Sequence, residues 1–356
     1  MLNIRIKNYL SSLWIVSLAY ILYTNHPYFN DYFNVEHFID FFGKTFKFTT
    51  FEVFFVIYIS YAVVLFLIYF FEKNPSISKS IYFLKSLEKI ILSPHKTFIQ
   101  GLHSKEKVGF LAVLLKLFYA PLMLSWLSGH ISSMITNFTY VAENHSLITS
   151  DFLGIFQERL YWLLFNTIIF ADVFFYTWGY LIEHPRLKNQ IKSVDPTLSG
   201  WAFAILCYPP FNTILDKFFT WQSSDFPQFD NPYLLVSLNL LILVSMGIYS
   251  WASVALGLKA SNLTHRGIVS KGPYAYIRHP AYIAKNFAWW IGAIPALISA
   301  FQISISEVLI VVFSVAAWSS IYFFRAITEE RHLRMVNEEY DLYAKKVRYR
   351  FIPGVI

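Results

Sequence analysis

The sequence predicts an all-α integral membrane protein of about eight transmembrane helices, and three observations carry that prediction. Of 356 residues, 56% are hydrophobic and only 14% charged, whereas soluble domains carry roughly 25% charged residues. Apolar runs recur at lengths near the roughly 20 residues that a helix needs to cross a bilayer. Lysine and arginine alternate between the connections instead of spreading evenly, the pattern that the positive-inside rule produces.

The runs are 9–23, 51–71, 108–135, 160–180, 201–219, 233–256, 283–301 and 306–324. The first follows Arg5 and Lys7. No small-residue cleavage site succeeds it, so it is expected to be retained as a span. The fifth holds Pro209 and Pro210 at its middle, where proline removes a backbone donor and breaks or kinks a helix. With the first and the seventh, it is short or interrupted. Between the second and third runs, "KSIYFLKSLEKIIL" has the spacing of an amphipathic helix. It either lies on the membrane surface or packs on the protein as a connector, and the connector is slightly favoured.

A net charge of +7 invites a nucleic-acid reading, but its distribution argues against one. Alternate loops hold only Lys44, Lys47, Arg159 and Lys217. The remaining basic charge falls mainly on the other side, which places both termini in the cytoplasm. Cys207 is the only cysteine, so no internal disulfide forms. There is no Gly-x-Gly pair and no His-Glu-x-x-His, and the ten histidines are scattered; neither a soluble dinucleotide fold nor a metal site is signalled. Lys116 and Asp172 fall inside predicted spans and are functional candidates for that reason. Glu183, His184 and Arg186 follow the fourth run and read as a plain loop more readily than as the border of a site. Without internal repeats or linkers, the chain divides only into 1–232, five helices of unassigned function, and 233–356.

The C-terminal region carries the chemistry. "GPYAYIRHPAY", Gly272 to Tyr282, contains a Gly-Pro turn, and Pro280 is placed to start the seventh span. Singly, Tyr274, Tyr276 and Tyr282 fit an interfacial aromatic belt, and Arg278 an ordinary anchor. A second cluster, "RAITEERHL", follows the eighth run. Its Arg325 and Glu329 share a helix face. Its charges suit a solvated helix, yet both clusters belong at the same leaflet, where together they can line a pocket of Arg, His, Tyr and Glu.

These motifs in this order, followed by "EYDLYAKKVRYRFIP", resemble the isoprenylcysteine carboxyl methyltransferase superfamily, which also includes phospholipid N-methyltransferases. The resemblance covers about the last hundred residues. It implies a cytoplasmic pocket for S-adenosylmethionine lined by His265, Gly267, Ile268, Val269, Tyr274, His279, Pro280, Tyr282 and Glu329. Arg278 is a further candidate for the cofactor carboxylate. Arg325 matches the arginine that positions the substrate carboxylate. Ala284 stands where the family commonly has Gly. The implied activity is methylation of a lipophilic acceptor that enters from the bilayer. A prenylated cysteine carboxylate is the foremost candidate, and a phospholipid amine and a hydrophobic thiol stay open. An NADPH-dependent sterol or isoprenoid reductase and a non-enzymatic transporter or scaffold are the competing readings. A bacterial inner membrane is the expected location, with membrane lipids and the acceptor, not nucleic acid, as partners.

Overall fold

The computed structural model describes residues 2–27, 29, 33–41, 43–72, 76–92 and 102–355. The chain forms two compact units, Met1–Thr139 with Tyr180–Glu183, and Tyr140–Gly179 with His184–Ile356.

In the first unit, helix α1 (Leu2–Asn25) packs along α2 (Thr50–Phe71). Between them in sequence lies an antiparallel hairpin, β1 (Glu36–Phe41) with β2 (Lys44–Thr49). Gly43 takes the positive φ of 73° that its turn requires. Thr49 and Glu52 start α2 with a capping box, each side chain satisfying a backbone N–H at the helix start. Tyr20 stacks on Phe54 at 5.5 Å, and Ser17 meets the Tyr58 hydroxyl at 2.8 Å.

"KSIYFLKSLEKIIL" forms α3 (Lys79–Leu92) and packs on protein, as the connector reading expects. Ser80 bonds Ser12 of α1 at 2.8 Å, and Phe83 stacks on Phe110 of α4 (Ser104–Glu143) at 5.5 Å. Lys116 is paired with Glu183 at 3.3 Å, and Lys79 bonds the same carboxylate. Lys116 therefore shares one carboxylate with Lys79 within this unit.

The second unit contains α5 (Tyr161–Leu181) through Gly179, α6 (Leu198–Ile205), α7 (Phe211–Asp216) and α8 (Pro232–Leu256). It continues with α9 (Pro280–Gly292), α10 (Ile294–Ile303), α11 (Ile305–Val336) and α12 (Glu339–Lys346). Asn231 caps α8 by accepting from Tyr233 and Leu234 N–H at 2.9 and 3.2 Å, with Pro232 at the first helical position. A buried apolar cluster of Tyr161, Phe165, Phe226, Ile242 and Ile291 joins α5, α8 and α9. Asp172 accepts from Tyr249 at 3.0 Å and from Ser253, fastening α5 to α8.

Among the described residues, five helices are long and apolar enough to cross a membrane: Thr50–Phe71, Ser104–Glu143, Phe152–Leu181, Pro232–Lys259 and Ile305–Val336. The α9–α10 pair, bent by 40°, makes up to six. Several apolar helices of this kind make the chain an integral membrane protein. Two of the eight expected crossings are not continuous apolar helices. In α1, Asn8, Ser11 and Ser12 turn inward to bond their neighbours, which lowers its apolar content; Asn8 accepts from Ser78 N–H at 2.9 Å. The fifth run is broken between α6 and α7, where Pro209 and Pro210 stand.

Even so, that broken run lies antiparallel to α11. Arg331 donates to Ser199 at 2.7 Å, Phe203 stacks on Phe324 at 5.3 Å, and Trp318 donates to the Phe219 carbonyl at 2.8 Å. Ser314 donates to the Thr220 carbonyl at 2.5 Å. The contacts from Arg331 back to Ser314 cover about 26 Å of α11 at 1.5 Å per residue.

Candidate functional site

The cleft in the second unit is assembled from the connector after α8, the start of α9 and the last turns of α11. A two-residue strand pair, β3 (Ser193–Val194) with β4 (Thr264–His265), steadies the connector. Lys192 and Asp195 extend that pairing by donating to the His265 and Leu263 carbonyls at 2.9 and 2.8 Å. Gly267 adopts a φ of 102°, and a Cβ there would meet Lys259 Nζ at 3.2 Å. Glycine thus lets the backbone approach the lysine.

Pro280 opens α9 as expected from its sequence position. Ser245 of α8 donates to the Ala284 carbonyl at 2.7 Å, so Ala284 is buried against α8.

The adjacent carboxylates of α11 have different jobs. Glu330 is almost wholly buried and gathers three side chains: Arg278 Nε at 2.8 Å, His279 Nε2 at 3.2 Å, and Arg350 through Nε and Nη2, both at 3.0 Å. The C-terminal tail joins this clamp. Arg278 and His279 N–H donate to the Tyr349 and Arg350 carbonyls at 3.0 Å, and Arg278 Nη1 donates to Arg348 O at 2.7 Å. Bonding to Glu330 holds the Arg350 guanidinium above its usual pKa. Glu330 therefore serves as a fastener.

Glu329 faces the cleft, with a quarter of its side chain exposed. Tyr282 donates to it at 2.5 Å and Arg325 Nε at 3.2 Å, and His279 Nδ1 stands 3.9 Å away. The two distant sequence clusters thus meet through the Tyr282–Glu329 bond. Arg325 is buried, donates to Asn262 at 2.5 Å, and lies 5.2 to 5.9 Å from the ring centres of Tyr282, Tyr322 and Tyr208. Cation–π contact of this kind partly compensates its desolvation. Its Nη1 has no hydrogen-bond partner among the described residues.

Of the residues expected at a cofactor site, His265, Gly267, Ile268, Val269 and Tyr274 line the cleft from the connector side. Arg278, His279, Tyr282 and Glu329 line it from α9 and α11. Pro280 does not, being packed in the helix start; Arg325, expected at the substrate carboxylate, is not in the lining either and reaches the cleft through Glu329 and Tyr282. The structure adds Lys259, Asn262, His332 and Tyr343 to the lining. His332 and Tyr343 stand in motifs singled out from sequence.

The atom-free space, open mouth included, is about 1050 Å³. Burial, reinforced by Lys192, lowers the His265 pKa and favours the neutral ring, which accepts from the Asn337 amide at 3.0 Å. Burial, then Glu329, pushes the Tyr274 pKa upward, so it stays a phenol. His184 and Arg186 are not in the lining, and Glu183 belongs to the first unit. Among the described residues no His, Cys, Asp and Glu group suits a metal ion.

The architecture defines an integral membrane protein with a polar, partly open cleft at one end of its C-terminal helices. Residues 234–335 match the model of the Isoprenylcysteine carboxyl methyltransferase (ICMT) family, which points to a membrane methyltransferase. The match takes in nearly all of α8 and continues to the end of α11, stopping before the "EYDLYAKKVRYRFIP" tail. Neither a curated protein nor a solved structure matches the chain.

Proposed function

We propose that the chain is an integral membrane methyltransferase that uses S-adenosylmethionine to methylate the carboxylate of a lipophilic acceptor, such as a prenylated cysteine. The observation that carries the proposal is the single cleft joining nine of the expected cofactor residues across the connector, α9 and α11.

The donor set suits this cofactor. Glu329 offers acceptor oxygens for ribose hydroxyls or the ammonium, while Arg278 and Lys259 offer positive charge, and His279 a ring nitrogen, for the carboxylate. Tyr274, Tyr282 and Tyr343 offer aromatic faces for a sulfonium or an adenine. Bound S-adenosylmethionine supplies a methyl group whose transfer to the acceptor oxygen leaves the electron pair of the broken S–C bond on sulfur.

The chain's residues must then align the acceptor and exclude water. A carboxylate is already ionised at neutral pH, so no general base is needed. Arg325 is the positioning group: its Nη1 remains for an acceptor oxygen, while Nε and Nη2 hold it against Glu329 and Asn262. An acceptor with a prenyl or acyl tail gains about 0.8 kcal/mol per methylene on entering the bilayer, which explains a membrane scaffold. In this proposal the cleft and both termini face the cytoplasm, and the membrane is a bacterial inner membrane.

One observation favours the reductase alternative. Lys188, Lys192 and Lys271 surround Lys259 with positive charge, which would suit a nucleotide phosphate. Methyl-labelled S-adenosylmethionine should be incubated with purified protein and, separately, N-acetyl-S-farnesylcysteine, phosphatidylethanolamine and dodecanethiol. Base-labile label in the farnesylcysteine product is expected, and Arg325→Ala should abolish it. Label in the amine or thiol alone would overturn carboxyl methylation. No transfer to any acceptor, together with NADPH binding, would favour the reductase.

A further inference from the structure

Lys285 lies inside the predicted seventh span, in the second turn of α9. A lysine near a helix end usually snorkels, its stem along apolar surface and its ammonium in the headgroup layer. This one turns inward. Its Nζ stands 5.5 Å from the ring centres of Tyr249 on α8, Trp289 on α9 and Tyr322 on α11.

Among the described residues it makes neither an ion pair nor a hydrogen bond. Two carboxylates attract it through space without forming an ion pair: Asp172, which already accepts from Tyr249 and Ser253, and Asp225. An ammonium in the interior of a membrane bundle is costly unless it meets an opposite charge, and such groups mark substrate paths.

The position of Lys285 indicates what that charge belongs to. Tyr282, on the cleft, is three residues earlier on the same helix face. Arg325 approaches Tyr322, the ring that also faces Lys285, at 5.8 Å. Two cations therefore flank one tyrosine immediately beside the cleft, one of them without a direct ion pair or hydrogen bond among the described residues.

We infer that Lys285 anchors the acceptor's head group, its ammonium binding the carboxylate or phosphate of a lipid-tailed anion inside the α8–α9–α11 interior. The inference rests on the proposed methyltransferase reading for the role of that anion, but the binding site itself can be tested apart from it. Lys285 is a specificity-determining residue here, selecting anionic over neutral amphiphiles.

The test uses the full chain in phosphatidylcholine nanodiscs, with Trp fluorescence following N-acetyl-S-farnesylcysteine and its neutral carboxamide. Wild-type protein should prefer the carboxylate at least about tenfold. Lys285→Met should cut that preference at least about fivefold while leaving carboxamide affinity within about twofold, any remainder resting on Arg325, and Lys285→Arg should retain it. S-adenosylmethionine affinity, measured in parallel, should be the same in all three proteins. Equal wild-type affinities, no saturable carboxylate binding, or a preference undiminished in Lys285→Met would overturn the inference. Intact carboxylate preference without S-adenosylmethionine binding would uphold the anion site and overturn the methyltransferase reading alone.

Discussion

Replacing Glu330 with Gln keeps the shape of the side chain and removes the charge at the centre of the clamp. Arg278 and Arg350 then lose their shared counter-ion, with side chains only 9% and 26% exposed. Breaking a buried ion pair from one side costs about 3–5 kcal/mol. Arg350 is the more accessible of the two and regains some hydration, so about 3 kcal/mol is the working figure at the lower end of that range. The loss should fall on the tail, because the same loop holds it through Arg278 and His279 N–H. At 1.4 kcal/mol per decade, the detached population rises about 100-fold. Tryptic cleavage after Arg348 and Arg350 follows that population when opening is fast relative to cutting. The assay is limited trypsinolysis in detergent, with mass spectrometry of the released C-terminal peptides. Cleavage within about twofold of wild type would refute the clamp, whatever happens to activity.

Three other perturbations address separate parts of the structure. Tyr282→Phe removes one hydrogen bond to Glu329 without altering packing, and should weaken S-adenosylmethionine binding about five- to tenfold by calorimetry. Gly292→Ala places a methyl against the Ser224 carbonyl and Ser223 hydroxyl, and should cost about 1–3 kcal/mol, read as a lower thermal midpoint. For His265, burial and Lys192 put the folded pKa below the ordinary 6.5, so the unfolded chain takes up the proton first. Its contribution is thus present above pH 6.5 and lost as pH falls toward the folded value. His265→Gln should therefore flatten the decline in thermal midpoint between about pH 6.5 and 5.

Much of this site was legible because its parts are local and chemically distinctive. Pro280 marks its own helix start, and Arg325 and Glu329 share a face by helical periodicity alone. Pro209 and Pro210 announced a break, although not that the broken run would still follow α11. The polar residues of α1 were hidden within an apolar-looking stretch, since sequence cannot say that Asn8 faces a partner helix. Glu329 and Glu330 are neighbours of one type, and only the three-dimensional positions of Arg278 and Arg350 separate the cleft-facing carboxylate from the fastener. Asn262 and Lys259 enter the cleft through a connector held by a two-residue strand pair, too short to show a period. In the charge pattern Lys285 resembles the anchors beside it; its inward direction comes from packing.

Calorimetric titration of S-adenosylmethionine and NADPH into the purified protein, repeated with Glu329→Ala, tests the central claim most directly. Saturable S-adenosylmethionine binding that Glu329→Ala weakens at least about tenfold, with no NADPH binding, is the predicted result. NADPH binding without any response to S-adenosylmethionine, or S-adenosylmethionine binding that ignores the loss of Glu329, would contradict it.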